Sequence, residues 1–305
     1  MYFPVVHGGQ YDLLALREAA VEIRSSGKVI PVIIPVAKNA AGLQALLRRY
    51  GRSGQPFCFV VNPICCAKTM APRDVDEVLS SILDAIPGYF PTLMVNAATT
   101  AAEVEAFRAR FPAHELAFFH LDEMLAAPAL QLARAAGRWH LLEVRRRGYA
   151  GGFPPDTRVM IEDPFNKVNN ADYPPDDGFS DTFAQFSGDG FAGFGDYQVI
   201  GRQYSPGGFT PRAVALHLTY LAPNGAIRVR HFVSGPVAAA PEVPGRFLEA
   251  LDALVQWTDE RGDELGWSDA VVRFREMREA ASFPGLAIPK KLAIRHHLDL
   301  VMSLL

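Results

Sequence analysis

Up to about residue 165, the chain alternates between short apolar runs and longer segments in which apolar positions recur every three or four residues. Continuous apolar runs are typical of strands buried on both faces, and the longer period is typical of amphipathic helices. The runs predict seven strands, which start near residues 2, 29, 57, 92, 116, 139 and 158. Because these starts are 19 to 35 residues apart, most intervals can hold a helix, and we expect right-handed βα units with parallel strands.

Seven successive βα units favour a barrel over an open doubly wound sheet. Residues 6–10 (VHGGQ), after the first strand, lack the GxGxxG phosphate turn that an open dinucleotide-binding sheet more often carries. A Gly- and Pro-rich stretch at 145–155 separates strands six and seven, so one helix is missing or degenerate. The sequence therefore predicts an imperfect (β/α)8 TIM-like barrel.

The second half of the chain has a different pattern. Residues 166–195 form a polar, aromatic and glycine-rich inserted loop, and residues 197–200 are the candidate eighth strand. Two strand-like runs, 213–220 and 227–233, flank Asn224-Gly225, which is a strong signal for a β-hairpin. Either arm of this hairpin could instead close the barrel.

Three helical patterns end the chain, at residues 245–261, 269–281 and 289–304. No linker or low-complexity segment interrupts residues 1–305, so we expect a single domain. Its predicted parts are a barrel core (1–210), a hairpin or barrel closure (211–235) and a C-terminal helical extension (236–305).

Composition and charge exclude several classes of protein. The 33 acidic and 30 basic side chains give a net charge of −3, and 49% of residues are hydrophobic, as in ordinary globular proteins. This balance excludes an acidic disordered tail and a strongly basic nucleic-acid binder. No apolar run is long enough to span a membrane and no signal peptide is recognisable, so we expect a cytoplasmic protein with no membrane contact. The three cysteines lack CxxC spacing, which favours buried apolar roles over a zinc site.

Polar side chains follow the ends of the predicted strands. In a parallel barrel these strand ends converge on one opening, the mouth, where active sites are built. The set is His7, Lys38, Asn62, Asn96, His120, Asp122, Glu162, Asp163 and Asp196.

The carboxylates of this set suggest a divalent metal site. Oxygen ligands suit Mg²⁺ or Mn²⁺, and we expect Asp122, Asp163 and Asp196 to supply them, with Asn62 or Asn96 nearby. His120 is then a candidate general base. Glu162 is the other candidate catalytic carboxylate, but neighbouring strand residues face opposite ways, and Asp163 shares its face with Val159 and Ile161.

A structural interpretation exists for three of these residues as well. His120 would be a core histidine whose ring nitrogens are hydrogen-bonded inside the protein. Asp122 would cap the next helix, and Asp163 would bind backbone amides before Pro164. The sequence leaves both interpretations open.

The densest polar stretch, residues 162–173, predicts a recognition loop. Lys167 supplies a cation for a phosphorylated ligand, and Asn166 and Asn170 supply hydrogen bonds. The alternative is a surface loop rich in Asx turns, since Asn and Asp readily bind their own backbone.

Several blocks of the chain resemble a family of uncharacterised phage and bacterial proteins known as beta family proteins. They include residues 2–10, 14–18 and 30–33, and a closer sub-family is similar at 163–167, 170–173, 215–220, 231–234 and 283–286. The resemblance implies a bacterial accessory or phage-defence protein, encoded beside a partner with a nuclease-like fold. It implies no catalytic residues.

Two functions follow as expectations. The first is binding of a phosphorylated ligand or nucleic-acid end at the mouth, with metal-dependent phosphoester hydrolysis. The second is a non-catalytic sensor or regulator of the nuclease-like partner, which would dock on the hairpin and the C-terminal helices. Lys290-Lys291, at a helix start, weakly favours the external partner because cations are unfavourable at that end.

Overall fold

Eight parallel strands form the wall of a nearly closed barrel in the computed structural model of the chain, which confirms the imperfect (β/α)8 architecture. Seven wall strands follow one another around the barrel: β1 (Val5–His7), β2 (Val32–Ile34), β3 (Cys58–Val60), β4 (Phe90–Val95), β5 (Leu116–His120), β6 (Gly137–Leu142) and β7 (Arg158–Glu162). The eighth, β9 (Gly193–Asp196), comes after β8 (Asp176–Ser180), which belongs to a separate sheet.

Helices cover the outside of this wall. The structure describes residues 1–36, 41–66, 72–83, 86–121, 125–143, 147–204, 212–235, 242–265 and 268–305. The barrel helices are α1 (Gln10–Glu18), α2 (Ala20–Ser26), α3 (Ala41–Ser53), α4 (Pro72–Leu83), α5 (Ala101–Arg110) and α6 (Ala127–Ala136). Among the described residues between β6 and β7 there is one short helix, the four-residue α7 (Arg147–Ala150), and α8 (Thr182–Gln185) follows β8.

Alternation along the strands separates two apolar layers. The barrel interior is filled by side chains such as Phe3, Val5, Val32, Ile34, Cys58, Val60, Met94, Ala117, Phe119, Leu141, Val159 and Ile161. The outer face of the same strands packs under the helices, for example with Val6, Ile33, Phe59, Val95 and Phe118. Because successive residues face opposite ways, the last strand positions determine which polar side chains reach the mouth.

The barrel closes between β9 and the residues just before β1. Tyr2 and Phe194 form a parallel bridge, and the Phe3 amide donates to the Phe194 carbonyl over 2.8 Å. A Cβ at Gly195 would lie 2.1 Å from the Phe3 carbonyl oxygen. Only glycine therefore allows this close approach of the two backbones.

The prediction of the eighth strand at residues 197–200 is wrong. The strand lies four residues earlier, at Gly193–Asp196, and Gln198–Ile200 form a single turn of 3₁₀ helix. The apolar side chains Val199 and Ile200 are buried in the outer core rather than in the barrel wall. The hydrophobic pattern was misleading because the real strand carries two glycines that closure requires.

The hairpin does not close the barrel. β10 (Ala215–Leu221) and β11 (Ile227–Val233) pair antiparallel, and β11 also pairs with β8, so that the three strands form a second sheet. The C-terminal helices α9 (Val243–Arg261), α10 (Asp269–Glu279) and α11 (Ala287–Ser303) pack with it. In addition, α11 contacts α1 of the barrel. Among the described residues, no helix has both the length and the apolar character to cross a bilayer.

Candidate functional site

His120 lies outside the mouth, on the outer face of β5. Its Nδ1 is 2.9 Å from the Tyr149 hydroxyl and its Nε2 is 3.2 Å from His140 Nδ1. The ring is fully buried, and burial, together with the charges of His140 and Arg134, lowers its pKa well below the ordinary value. These contacts match the structural interpretation of His120 as a core histidine.

Asp196 and Glu162 also face outward, away from the barrel interior. The Tyr2 hydroxyl donates to both carboxylate oxygens of Asp196 (3.1 and 3.2 Å), and His297 Nε2 lies 3.2 Å from Oδ2. The Ser180 hydroxyl donates to Glu162 Oε2 over 2.6 Å. Both carboxylates are therefore engaged in contacts between the barrel wall and the layer around it.

Of the three predicted metal ligands, the structure describes two, Asp163 and Asp196, and these bind different parts of the chain. Asp163 continues the inward face of β7, and its Oδ1 accepts a hydrogen bond from the Arg202 amide over 3.1 Å. Asp196 is on the opposite face, and Asp122 lies outside the described residues. Within the described ranges, no group of three or more His, Cys, Asp or Glu side chains is placed to hold a metal ion. A magnesium or manganese site stays a prediction.

The two predicted amide ligands of the mouth support the backbone. The Asn62 side chain donates to the Met94 carbonyl over 2.9 Å and accepts from the Met94 amide over 2.7 Å. These two hydrogen bonds connect the end of β3 to β4. Asn96 Oδ1 accepts from the Ala98 amide over 3.0 Å in a local turn. Both amide side chains thus bind their own chain.

We expect Asp196→Asn to lower the free energy of unfolding by about 2 kcal/mol. The NH₂ group of the new amide then faces a buried hydrogen-bond donor instead of an acceptor. Denaturant unfolding of wild type and variant at pH 7.5 measures this difference. The matched control is Asp181→Asn at an exposed position, for which we expect almost no change. Equal stability of Asp196→Asn and wild type would show that this carboxylate is not structural.

A cavity of about 290 Å³ lies beside the mouth, and we call it the lysine pocket. Five parts of the chain build it: the end of β1, the loop after β7, the segment after β9, β10 and the start of α11. The side chains that line it include His7, Phe165, Lys167, Asn170, Tyr173, Tyr204, His217, Leu286 and Lys290. Two of the predicted ligand-binding residues, Lys167 and Asn170, are thus brought together.

The two lysines line the pocket from different elements, Lys167 from the loop after β7 and Lys290 from α11. Lys167 Nζ donates to the Gln203 carbonyl over 3.3 Å, and Lys290 Nζ lies 3.0 Å from Asp12 Oδ1. Burial lowers the pKa of Lys167, and the Lys290 charge lowers it further. The two ammonium charges therefore repel each other, and an anion bound in the pocket would stabilise both of them.

His7 completes the polar lining from the end of β1. Its side chain is only 3% exposed, and its Nε2 has no hydrogen-bond partner. Burial, followed by the charge of Lys290, lowers its pKa to about 4, so the ring is neutral at pH 7. A buried nitrogen without a partner on the wall of a cavity is a candidate contact for a ligand.

The first turns of α11 line the same cavity, close to the positive end of the helix dipole. This helix has 17 residues, no acidic residue in its first turn and no side-chain cap at Leu286. Leu286 lines the pocket together with Pro289 and Lys290. The two lysines and the nearby positive end of α11 therefore favour an anionic group.

Lys290 was not predicted as a pocket residue, and the Lys290-Lys291 pair was interpreted as a sign of an external partner. Both lysines instead form ion pairs within the chain, Lys290 with Asp12 and Lys291 with Glu18. The available signal was a lysine in the first turn of a helix, where its charge opposes the dipole. Asn166 lines a neighbouring open cavity together with Asp163 and Lys167.

Fold and site together describe an imperfect (β/α)8 barrel with a cationic pocket between its mouth and its C-terminal helix. Comparisons of this chain with protein-family models, with curated proteins and with solved structures each found no match.

Proposed function

We propose that this protein binds a small ligand through a phosphate group in the lysine pocket. The observation that carries the proposal is the convergence of Lys167, Lys290 and the partnerless Nε2 of His7 on one cavity. Phosphate oxygens accept charge-assisted hydrogen bonds from lysine ammonium groups, and a helix N-terminus nearby adds to the attraction.

The size and lining of the pocket favour a small molecule over a nucleic-acid duplex. Its volume of about 290 Å³ is at the lower end of the range for small-molecule sites, roughly 300–1,000 Å³. The aromatic rings of Phe165, Tyr173 and Tyr204 supply apolar contacts for the rest of the ligand. Hydrolysis of a phosphoester, and the nuclease-like partner, stay predictions from the sequence.

We expect Lys167→Gln to weaken the binding of inorganic phosphate or phenyl phosphate at least roughly 10-fold, because one charged hydrogen bond is worth about 1.5–3 kcal/mol. We expect a similar loss for Lys290→Gln. Isothermal titration calorimetry at pH 7.5 and low salt measures both. Lys291→Gln is the matched control, since Lys291 is the next residue in the chain but pairs with Glu18 and does not line the pocket.

Removing Lys290 alone also leaves the Asp12 carboxylate buried without its cation. The double variant Asp12→Asn/Lys290→Gln removes both charges and separates loss of binding from loss of folding. The proposal is wrong if wild type binds neither probe, or if Lys167→Gln and the double variant both bind as tightly as Lys291→Gln.

A further inference from the structure

The charge in the lysine pocket is already partly balanced by carboxylates. Asp12 holds Lys290 through a 3.0 Å ion pair, and the Asp163 charge acts on Lys167. A bound group with one negative charge changes this charge balance only slightly. A group with two negative charges needs a further positive charge close to it.

His7 is placed to supply that charge. The Arg202 backbone forms a hydrogen bond with the imidazole that raises its pKa. Nε2 has no partner, so the tautomer with its proton on Nδ1 leaves Nε2 available to take up a further proton. In the neutral ring Nε2 then carries a lone pair, which repels an anionic oxygen. One proton on Nε2 turns it into a charged donor without any rotation of the ring.

We propose that the lysine pocket selects a dianionic phosphomonoester end over a phosphodiester and binds it together with one proton, taken from solvent by His7 Nε2 and donated as a hydrogen bond to a phosphate oxygen. This inference rests on the proposed phosphate-binding function. No covalent bond of the ligand changes.

The surroundings of His7 set the pH range of this effect. Lys290 from α11 and Lys167 from the loop after β7 face it as cations, while Tyr197 and Tyr204 contact its ring at centroid distances of 6.2 and 5.5 Å. These lysines and burial hold its pKa at about 4 without ligand. An adjacent dianion raises such a pKa by roughly 1–3 units, so proton uptake begins below about pH 7.

Two probes that do not titrate between pH 8 and 6 test the inference: sulfate, a dianion, and dimethyl phosphate, a monoanion. We expect the affinity for sulfate to rise by up to roughly ten-fold from pH 8 to pH 6, with net proton uptake. Calorimetry in two buffers of different ionisation enthalpy measures that uptake. Affinity for dimethyl phosphate should stay constant. His7→Gln, which offers a donor that does not titrate, should bind sulfate with no pH dependence.

The possible results separate the two proposals. Sulfate binding to wild type with no pH dependence and no proton uptake would overturn the role of His7 but leave the phosphate site intact. Binding of neither probe, nor of inorganic phosphate, would overturn the site itself. If His7→Gln does not fold, ¹⁵N NMR of the wild-type imidazole decides: sulfate must protonate His7 Nε2 at pH 6, and an unchanged signal overturns the inference.

Discussion

Lowering the pH from 7 to 5 is expected to unfold this protein. Six of its eight histidines have pKa values held below the usual value, with burial as the largest cause: His7, His120, His140, His217, His231 and His296. For His140 and His217 the pKa is about 3, and for His296 about 4. In the unfolded chain the same rings take up protons below about pH 6.5.

The sign of the effect follows from this difference. Between about pH 6.5 and 4 the unfolded chain binds more protons than the native protein, so the free energy of unfolding falls as the pH falls. Each such histidine contributes up to about 1.4 kcal/mol per pH unit. Together, six such histidines remove a typical free energy of unfolding, about 5–15 kcal/mol, within roughly two pH units. This places the midpoint of acid unfolding near pH 5.

Urea unfolding followed by tryptophan fluorescence at pH 7.5, 6.5, 6.0 and 5.5 measures this dependence. The slope of the unfolding free energy against pH gives the number of protons taken up, which we expect to exceed two at pH 5.5. A free energy of unfolding that stays constant over this pH range would show that these histidines are not buried as the structure describes.

The second large effect is expected for Gly195→Ala. The new Cβ would meet the Phe3 carbonyl oxygen at 2.1 Å and Ile161 Cδ1 at 2.7 Å. A backbone oxygen cannot move aside without opening the contact between β9 and the residues before β1. We therefore expect a loss of about 3 kcal/mol or more in the free energy of unfolding, at the upper end of overpacking effects.

Gly178→Ala is the matched control, because Gly178 lies in a strand of the second sheet and a Cβ there meets nothing within 4 Å. We expect its stability to stay within about 1 kcal/mol of wild type, and β propensity even favours alanine. Thermal melts followed by circular dichroism compare the two variants. If both melt at the wild-type temperature, the barrel is not closed through Gly195.

The βα periodicity of the first half predicted the barrel correctly, because parallel strands that are buried on both faces give continuous apolar runs in the sequence. Strand ends were harder to predict, since a shift of one residue moves a side chain to the other face. His120 is the last residue of β5 and faces outward, whereas the sequence placed it at the mouth. Asp163 was assigned to the inward face from Val159 and Ile161, and both of these side chains do fill the barrel interior.

The lysine pocket could not be predicted as a unit. His7, Lys167, Tyr204, His217 and Lys290 come from five separate stretches of chain, and no local pattern links them. Lys167 and Asn170 could be predicted as ligand-binding residues, because the loop that contains them is locally rich in polar side chains. Lys290 became a pocket residue through the packing of α11 against α1 and β10, which is long-range information that a single sequence does not display.

The pocket also has a consequence for the order of folding. Its walls come from the first strand of the chain and from the last helix, with Lys290 of α11 tied to Asp12 of α1. During synthesis the site is therefore incomplete until α11 has emerged and docked. A ligand that binds there stabilises only the fully assembled chain, so its presence favours docking of the C-terminal helix over partly folded states.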